Sequence, residues 1–592
     1  NVDQFLAHIA EFPSRWLMLA TSGGGERDCS STGVMPSVSP LLHFGLGKVS
    51  QVDSVLVQWP NGARSLKKSI PADHAVVFNQ AEAVKPAVAI PPSSKRFNDV
   101  TNEVGLSFKH QENDFIDFKD EVLLPYQLSK MGPALAKADV NKDDLEDIFI
   151  GGAIGQEAKL FLQQANGSFI ESGEQPWLQD KESEDVRALF FDADKDGDVD
   201  LYVVSGGNEY GDGSPEFSDR LYINDGKGKF IKQSEALSDM LSSKLAVAAG
   251  DMDGDGDLDL FVGGSAIPGA FPQAARSYLL RNDSENGLVW FTDVTESWCP
   301  ALKQPGMVTA AIWKDLDRDG LPELMLAGDW MPLKLFQNTK TALVDMSEKA
   351  GLTNTNGLWS SLLAEDVDGD GDIDFVAGNS GWNNQFKASV REPMTLYAAD
   401  FDDNGSLAAI TCYFIQGKSY PMASRDELLD QIVPLRKKFV KYKDYANKTI
   451  DDIFPKNKLE AASKWYCYQL ASCILLNNGS NRFDIQPLPV QAQFSKIFGI
   501  VSDDIDKDGV EDLLLAGNFF PYRVQLGRND AGLGVWLKGE GKGKYKVMQN
   551  ESAGLFIDGD VRNMLMVKNA AGEQLLIIGK NNAAVQVLKA MK

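Results

Sequence analysis

Histidine is nearly missing from this chain: of 592 residues four are His (His8, His43, His74, His110), and all of them precede residue 139, where a series of acidic loops begins. HExxH, GxSxG, the phosphate-binding GxxxxGK[ST] and a strand-led GxGxxG are absent too, which removes the commonest hydrolase and nucleotide signatures. GEGKGKY at Gly539 is a glycine turn between strands. Cysteine is scarce: Cys29, Cys299, Cys412, Cys467 and Cys473 are odd in number and contain no CxxC, so neither a disulfide framework nor a zinc ribbon is encoded. No run of eighteen apolar residues occurs, hence no membrane-spanning helix is expected in this chain. No signal peptide opens it either. Because patterned sequence starts at the first residue, we expect a processed or incomplete N-terminus, with room for an export signal or anchor upstream. Basic charge is also short: 58 Lys and Arg stand against 84 Asp and Glu, a net charge of -26, which argues against nucleic acid or an anionic membrane as partner. Hydrophobic residues, at 43%, suffice for packed cores.

What the chain has in quantity is aspartate at fixed spacing. In DADKDGDVDLYVVSGG, carboxylates fall at the first, third, fifth and ninth positions (Asp192, Asp194, Asp196, Asp200), Gly197 is sixth, and an apolar run follows. The pattern returns as Asp139, Asn141, Asp143, Asp147; as Asp251, Asp253, Asp255, Asp259; as Asp315, Asp317, Asp319, Glu323; as Asp366, Asp368, Asp370, Asp374; and as Asp504, Asp506, Asp508, Asp512. A weaker copy, Asp400, Asp402 and Asn404, has Ala408 in the ninth position. Ca²⁺ takes six to eight oxygens, and a tight loop supplies them with short Asp side chains, a backbone carbonyl near position seven and a Gly at the turn. Six full copies therefore read as an internal repeat with several structural Ca²⁺ sites. An EF-hand would need a bidentate Glu at position twelve and flanking helices. Position twelve here is Val203, Val262, Ala377 or Leu515, inside β-rich runs. The loops join strands.

Loops of this kind fill poorly at cytosolic Ca²⁺ and readily outside a cell, so the expected compartment is extracytoplasmic. Acid concentrated in metal loops should strain the metal-free protein by self-repulsion.

Taken in order, residues 1–80 read as a separate small β unit, with strands in FLAHIAEF, RWLMLATS and VDSVLVQW and a hairpin turn at Pro60-Asn61-Gly62. HFGLG followed by VDSVLVQWPNG resembles the ASPIC/UnbV module, a small β domain that accompanies propeller repeats in secreted proteins; His43 within it reads as a structural histidine. Residues 81–96 form a Pro-rich linker. From 97 to 592, each repeat reads as strand, acidic loop, strand, longer loop, strand (RLYINDGKGK), turn, strand (FIKQSE). IFIGGAIG and LFVGGSAIPG make this region similar to FG-GAP/VCBS repeats, the family of the integrin α-subunit propeller. The resemblance implies an all-β, seven-bladed (alternatively eight-bladed) β-propeller with calcium loops. RFNDVTNEVGL at Arg96 matches WFTDVTESW and ALVDMSEKAGL, which close later units, while AAVQVLK at the chain's end lacks a closing partner. The N-terminal strand is thus expected to complete the last sheet. The last repeat, NMLMVKNAAGEQLLIIG, has no calcium acids and should be metal-free.

About 380–470 the pattern breaks. After the Asp400 hairpin, helical spacing and a basic run (Arg436, Lys437, Lys438, Lys441, Lys443) mark an insertion carrying helices. Loops after the second strands would lie opposite the acidic face, and they are rich in Tyr210, Phe271, Trp330, Trp382, Asn383, Phe519, Phe520, Tyr522 and Arg523. Flat rings beside amides and a guanidinium suit a glycan or peptide; the rings could equally plug a channel mouth. The expected function is a ligand-binding, adhesion or assembly module for a protein or glycan. Its place would be secreted or at the cell surface, in a bacterium the outer-membrane surface and its complexes. The alternative is a calcium-dependent polysaccharide lyase using Tyr442, Lys443 or Arg523 as base.

Overall fold

The structure, a computed structural model, describes residues 3–9, 17–20, 25–28, 41–47, 50–58, 64–79, 82–84 and 95–591. The turn expected at Pro60-Asn61-Gly62, most of the Pro-rich linker and Cys29 lie outside the described residues. Two compact units divide the chain, Asn1–Ser93 and Ser94–Lys592.

In the first unit, Asp3–Ile9 pairs with Leu41–Gly47 and with Ala75–Phe78. A second sheet orders Gly25–Asp28, Leu17–Ala20, Gln51–Gln58 and Arg64–Pro71. Val52, Val55, Val57, Ile70 and Phe78 are buried, as the apolar content of the VDSVLVQ strand requires.

Among the described residues of the second unit, seven antiparallel sheets, besides one in an insertion, follow one another along the chain, each built outward strand by strand. Their first strands are Leu135–Ala138, Glu184–Phe191, Lys244–Gly250, Met307–Lys314, Ser361–Glu365, Ile497–Asp503 and Val561–Lys568. Each touches the next, and the seventh touches the first, so the sheets stand around a common axis as in a β-propeller. Second strands such as Asp200–Gly206 and Glu323–Met331 are buried at every residue, because both their faces meet neighbouring sheets. That explains why they read as unbroken apolar runs instead of alternating. Outermost strands such as Phe230–Lys232 bury only their first residue.

The last sheet closes as the sequence leads one to expect. Phe97–Asp99 pairs antiparallel with Gln586–Ala590, Leu588 opposite Asp99, in the outer position that Phe291–Asp293 and Leu343–Asp345 hold in their own sheets. Segments almost 500 residues apart thus share one sheet, and the edge of Gln586–Ala590 is paired.

The fifth sheet is interrupted after Asp374–Gly378 and resumes at Cys473–Asn477. The insertion is not mainly helical. Its frame is a sheet ordered Lys418–Pro421, Ala408–Ile415, Met394–Ala399 and Ser463–Cys467, with SKWYC a strand. The helical pattern is chopped into short pieces, Arg425–Gln431, Tyr442–Tyr445, Ile450–Ile453 and Lys456–Ala461. Pro434 falls in the turn that follows the first piece. Leu428, Ile432, Ile450 and Phe454 pack on Ile410 and Phe401 in a core separate from the ring. The Asp400 loop joins two strands of this inserted sheet.

Candidate metal loops and the opposite face

Each acidic loop turns the chain from the first to the second strand of its sheet. Asp192 closes the turn by accepting Lys195 N–H on Oδ1 (2.8 Å) and Gly197 N–H on Oδ2 (3.1 Å). Asp194 accepts from Asp196 N (3.2 Å), and Asp196 from Asp198 N (2.8 Å). Asp251, Asp315, Asp366 and Asp504 accept in the same way from Gly256, Gly320, Gly371 and Gly509. An Asp arm reaches a backbone N–H a few residues on without spanning the loop. The fourth and sixth positions are left-handed (Lys195 φ 63°, Gly197 φ 83°), which is the reason for glycine at the sixth. In the first loop Asp144 takes that conformation at φ 65°.

The ninth acid does something else. Asp200 is buried and joins three segments: Oδ2 accepts Ala193 N–H and Oδ1 accepts Asn224 N–H, both at 2.8 Å, the latter at the end of the third strand. Asp147, Asp259 and Asp374 repeat the arrangement with Gln163, Asn282 and Asn477. The side chain of the third-strand Asn then reaches back to the preceding sheet. Asn224 donates to Val140 O (2.8 Å), Asn282 to Ala193 O (3.0 Å) and Asn338 to Met252 O (2.8 Å). This staple went unread in the sequence, although its signal is there: the third strands end in Asn (RLYIN, YLLRN, KLFQN, CILLN). Burial pushes the ninth acids upward, to about 7 for Asp147, Asp200, Asp259 and Glu323 and about 6 for Asp374 and Asp512, against the backbone bonds that pull the other way.

Neighbouring loops are also tied to each other. Lys142 at the fourth position of one loop pairs with Asp198 at the seventh of the next, Lys195 with Asp257, and Arg318 with Asp372 at 3.3 Å.

The donor set fits a hard divalent cation. One carboxylate oxygen each from Asp192, Asp194 and Asp200 lie within 4.8 Å of one another, as do those of Asp251, Asp253 and Asp255, of Asp315, Asp317 and Glu323, and of Asp366, Asp368 and Asp374. Oxygens sharing one Ca²⁺ sit at most about 5 Å apart, twice the metal–oxygen bond. Asp253 Oδ1 and Glu323 Oε1 are buried without a hydrogen-bond partner. The Asp504 loop differs: the Lys538 ammonium donates to Asp506 and, at 2.7 Å, to Asp508, so a cation of the chain's own stands among its acids.

A further cluster, His110, Glu112 and Glu184, lies away from the acidic loops, Glu184 opening the first strand of the second sheet. His110 Nδ1 accepts Asn582 N–H (3.1 Å), which places the neutral ring's proton on Nε2; burial and the nearby Arg562 and Lys130 charges push its pKa down to about 3. Nδ1, 3.9 Å from Glu112 Oε1, has thus spent its lone pair on the Asn582 N–H and is no ligand.

On the opposite face a strap, residues 108–133, crosses the ring. Tyr126 is fully buried there; its hydroxyl donates to Asp329 Oδ2 (2.7 Å), and its ring meets Phe519, Tyr522 and Phe271 edge-on at 5.5, 6.0 and 6.4 Å. Asp117 holds the strap's shape by accepting from Leu128 N, Ser129 N and Ser129 Oγ, and it ties the strap to Asn208 (3.0 Å). The insertion docks beside it. Arg523 donates to Glu427 Oε1 (2.6 Å) and Val122 O (2.7 Å), and a capping box, Ser424 with Glu427, starts the helix carrying Glu427. The strap was missed because it carries no repeat. Its one signal is length, more than thirty residues between the closing strand and Leu135, which is long for a compact domain.

The aromatic face is therefore corrected. Phe271 and Trp330, each 2% exposed, are core residues under the strap, and Arg523 is buried against Glu427. Tyr522 packs on Phe519 at 4.9 Å, Phe520 lies half-buried under Arg528, and half-buried Tyr210 donates to Glu182 O. The Tyr442 hydroxyl is bonded to Asp426. Of the aromatic candidates, Trp382 stays 45% exposed, with Asn383 beside it donating to Phe494 O (3.2 Å). Phe494 and Val490, 41% and 52% exposed, extend this apolar patch.

The ASPIC and UnbV family model matches residues 24–85, and the FG-GAP-like repeat model matches residues 192–262 and 315–377, two acidic-loop pairs with their strands. The chain carries FG-GAP-like repeats behind an ASPIC and UnbV module. Among solved structures, it is similar to an Agrocybe aegerita lectin recognising non-reducing terminal N-acetylglucosamine (12% identity, 72% of this chain and 82% of that one, TM-score 0.35). The V. cholerae biofilm matrix protein Bap1 (12%, 84% and 92%, 0.33) and the Dos1 propeller (10%, 79% and 96%, 0.34) score alike. No curated protein matches the FG-GAP-repeat chain. Among its described residues no helix is long and apolar enough to cross a membrane.

Proposed function

We propose that this FG-GAP-repeat chain is an extracytoplasmic, calcium-stabilised, seven-bladed propeller that serves binding, adhesion or assembly rather than catalysis. The observation that carries the reading is the convergence of loop carboxylates to within 4.8 Å of one another in successive blades, with buried oxygens left unpartnered in two of them. Positions one, three, five and nine of the loops would hold Ca²⁺, with Asp400, Asp402 and Asn404 a weaker site. The bound ions would neutralise acid that otherwise repels across the face, and with it pin each hairpin. Cytosolic Ca²⁺ would leave such sites largely empty, which supports a working place outside the cytoplasm, secreted or at a bacterial cell surface.

The partner surface is assigned to the Trp382, Asn383 and Phe494 patch, since an exposed ring beside an amide is what a glycan or protein partner uses. The test is a glycan array and a surface-protein pull-down with the calcium-loaded chain. Signal lost in Trp382→Ala with an unchanged melting temperature supports the reading. Unsaturated product from an acidic polysaccharide would replace it with the lyase.

A further inference from the structure

We propose that the central channel of the ring is a binding site for a small oxyanion, held between Arg187 and Arg562. The two arginines come from the innermost strands of the second and seventh sheets and line one cavity of about 180 Å³, together with residues of four other innermost strands. The inference is independent of the calcium loops and of the Trp382 patch.

Arg562 is 1% exposed and rigidly held. Its Nη2 donates to Lys130 O (3.0 Å) and Asp560 Oδ2 (2.9 Å), and its guanidinium lies 4.6 Å from the Phe498 ring and 4.8 Å from that of Phe519. Nε and Nη1 remain buried with no hydrogen-bond partner. Unpaired donors on a buried cation are costly, so the fold gains from an acceptor placed there. Arg187 donates to Val186 O, on its own chain neighbour, at 2.9 Å. Among the described residues no carboxylate stands within ion-pair distance of Arg187, and Asp560 alone does so for Arg562. Within ion-pair distance the two guanidiniums thus share a single carboxylate, in a protein of net charge -26. Burial and the Arg562 charge hold Arg187 down at about 10, still protonated at neutral pH.

The rest of the wall decides the ligand class. Ser360 and Ser361 spend their hydroxyl hydrogens on Ile497 O, Thr309 spends its own on Trp359 O, and the Asn563 amide reaches Leu135 O. The buried donors left without a partner on this wall are Arg562 Nε and Nη1, guanidinium N–H groups that match an acceptor-only anion with oxygens in a fork. The volume equals roughly six waters at about 30 Å³ each, room for a sulfate, a phosphate or a short carboxylate with some hydration. It excludes a sugar chain.

The probe is sulfate at low millimolar concentration, whose charge is constant across neutral pH, titrated into the calcium-loaded full chain against sodium chloride of equal ionic strength. A saturable rise in melting temperature, with calorimetric binding near one per chain, is expected for the wild type. Arg187→Gln should lose at least tenfold in sulfate affinity and, without sulfate, melt at or above the wild type, because a repelling charge has gone. Equal sulfate response in wild type and Arg187→Gln overturns the proposal, as does no response in the wild type. A sulfate-free Arg187→Gln that melts well below wild type, or fails to fold, overturns it too, by making the residue structural.

Discussion

The loop that begins at Asp192 and the loop that begins at Asp400 share a turn and differ in everything beyond it. Asp400 accepts from Asn404 N (3.0 Å) and Gly405 N (2.8 Å), and its fourth and sixth positions, Asp403 and Gly405, are left-handed like those of the ring loops. Six residues of local sequence suffice to form that turn. The ninth position then separates them. Asp200 joins loop, second strand and third strand, whereas Ala408 is packed into the insertion's strand with no carboxylate to offer. Lys142 and Lys195 bridge loop to loop in the ring, while Asp403 pairs with Lys458 of a neighbouring helix. The first six positions thus encode a hairpin, and the ninth acid adds a tie to the third strand that the Asp400 loop lacks.

The comparison breaks hardest when the metal is removed. EDTA should lower the melting temperature of the whole chain steeply, since each site held at a hundredfold over its Kd adds about 2.7 kcal/mol. A melt unchanged by EDTA sinks the calcium reading. Next in size is the core beneath the strap: Trp330→Ala should cost about 3–5 kcal/mol in chemical denaturation, whereas Trp382→Ala should leave stability unchanged and act only on binding. Asp200→Ala in calcium-free buffer should cost about 2–4 kcal/mol, because it leaves the Ala193 and Asn224 N–H groups buried and unpaired. In the same buffer Asp402→Ala in the insertion should change stability by less than about 0.5 kcal/mol. Equal effects would remove the distinction drawn between the two loops.

A separate effect is in pH. The ninth acids have folded pKa values near 6 to 7, above the 3.8 of free Asp. Such a group binds its proton more tightly folded than unfolded. The stability it adds is complete below about pH 4 and is lost as pH rises through 7. The EDTA-treated chain should therefore melt higher at about pH 5.5 than at about pH 8, and calcium should reverse that slope because it displaces the same protons. Paired melting curves with and without calcium read both signs.

Much of the fold was legible in the residues. The repeat period, the strand-joining loops, the closing role of Phe97–Asp99 and the exclusion of an EF-hand follow from spacing alone, because a turn and a strand depend on neighbours in sequence. The candidate surface was legible only in part. Trp330 lies at the end of a second strand and Trp382 just after one, yet one is core and the other surface. What separates them is the 108–133 strap and the insertion, segments that no repeat announces.

Sequence by itself determined that acidic hairpins recur, that the sheets must share buried faces, and that the first strand belongs with the last. Tertiary structure alone decided which face is covered, which ninth acid stitches the ring, and that Arg187 and Arg562, 375 positions apart, line one channel. The reason is range: hydrogen bonds within a turn reach a few residues, whereas closing a ring brings together groups whose separation along the chain carries no trace of their distance in space.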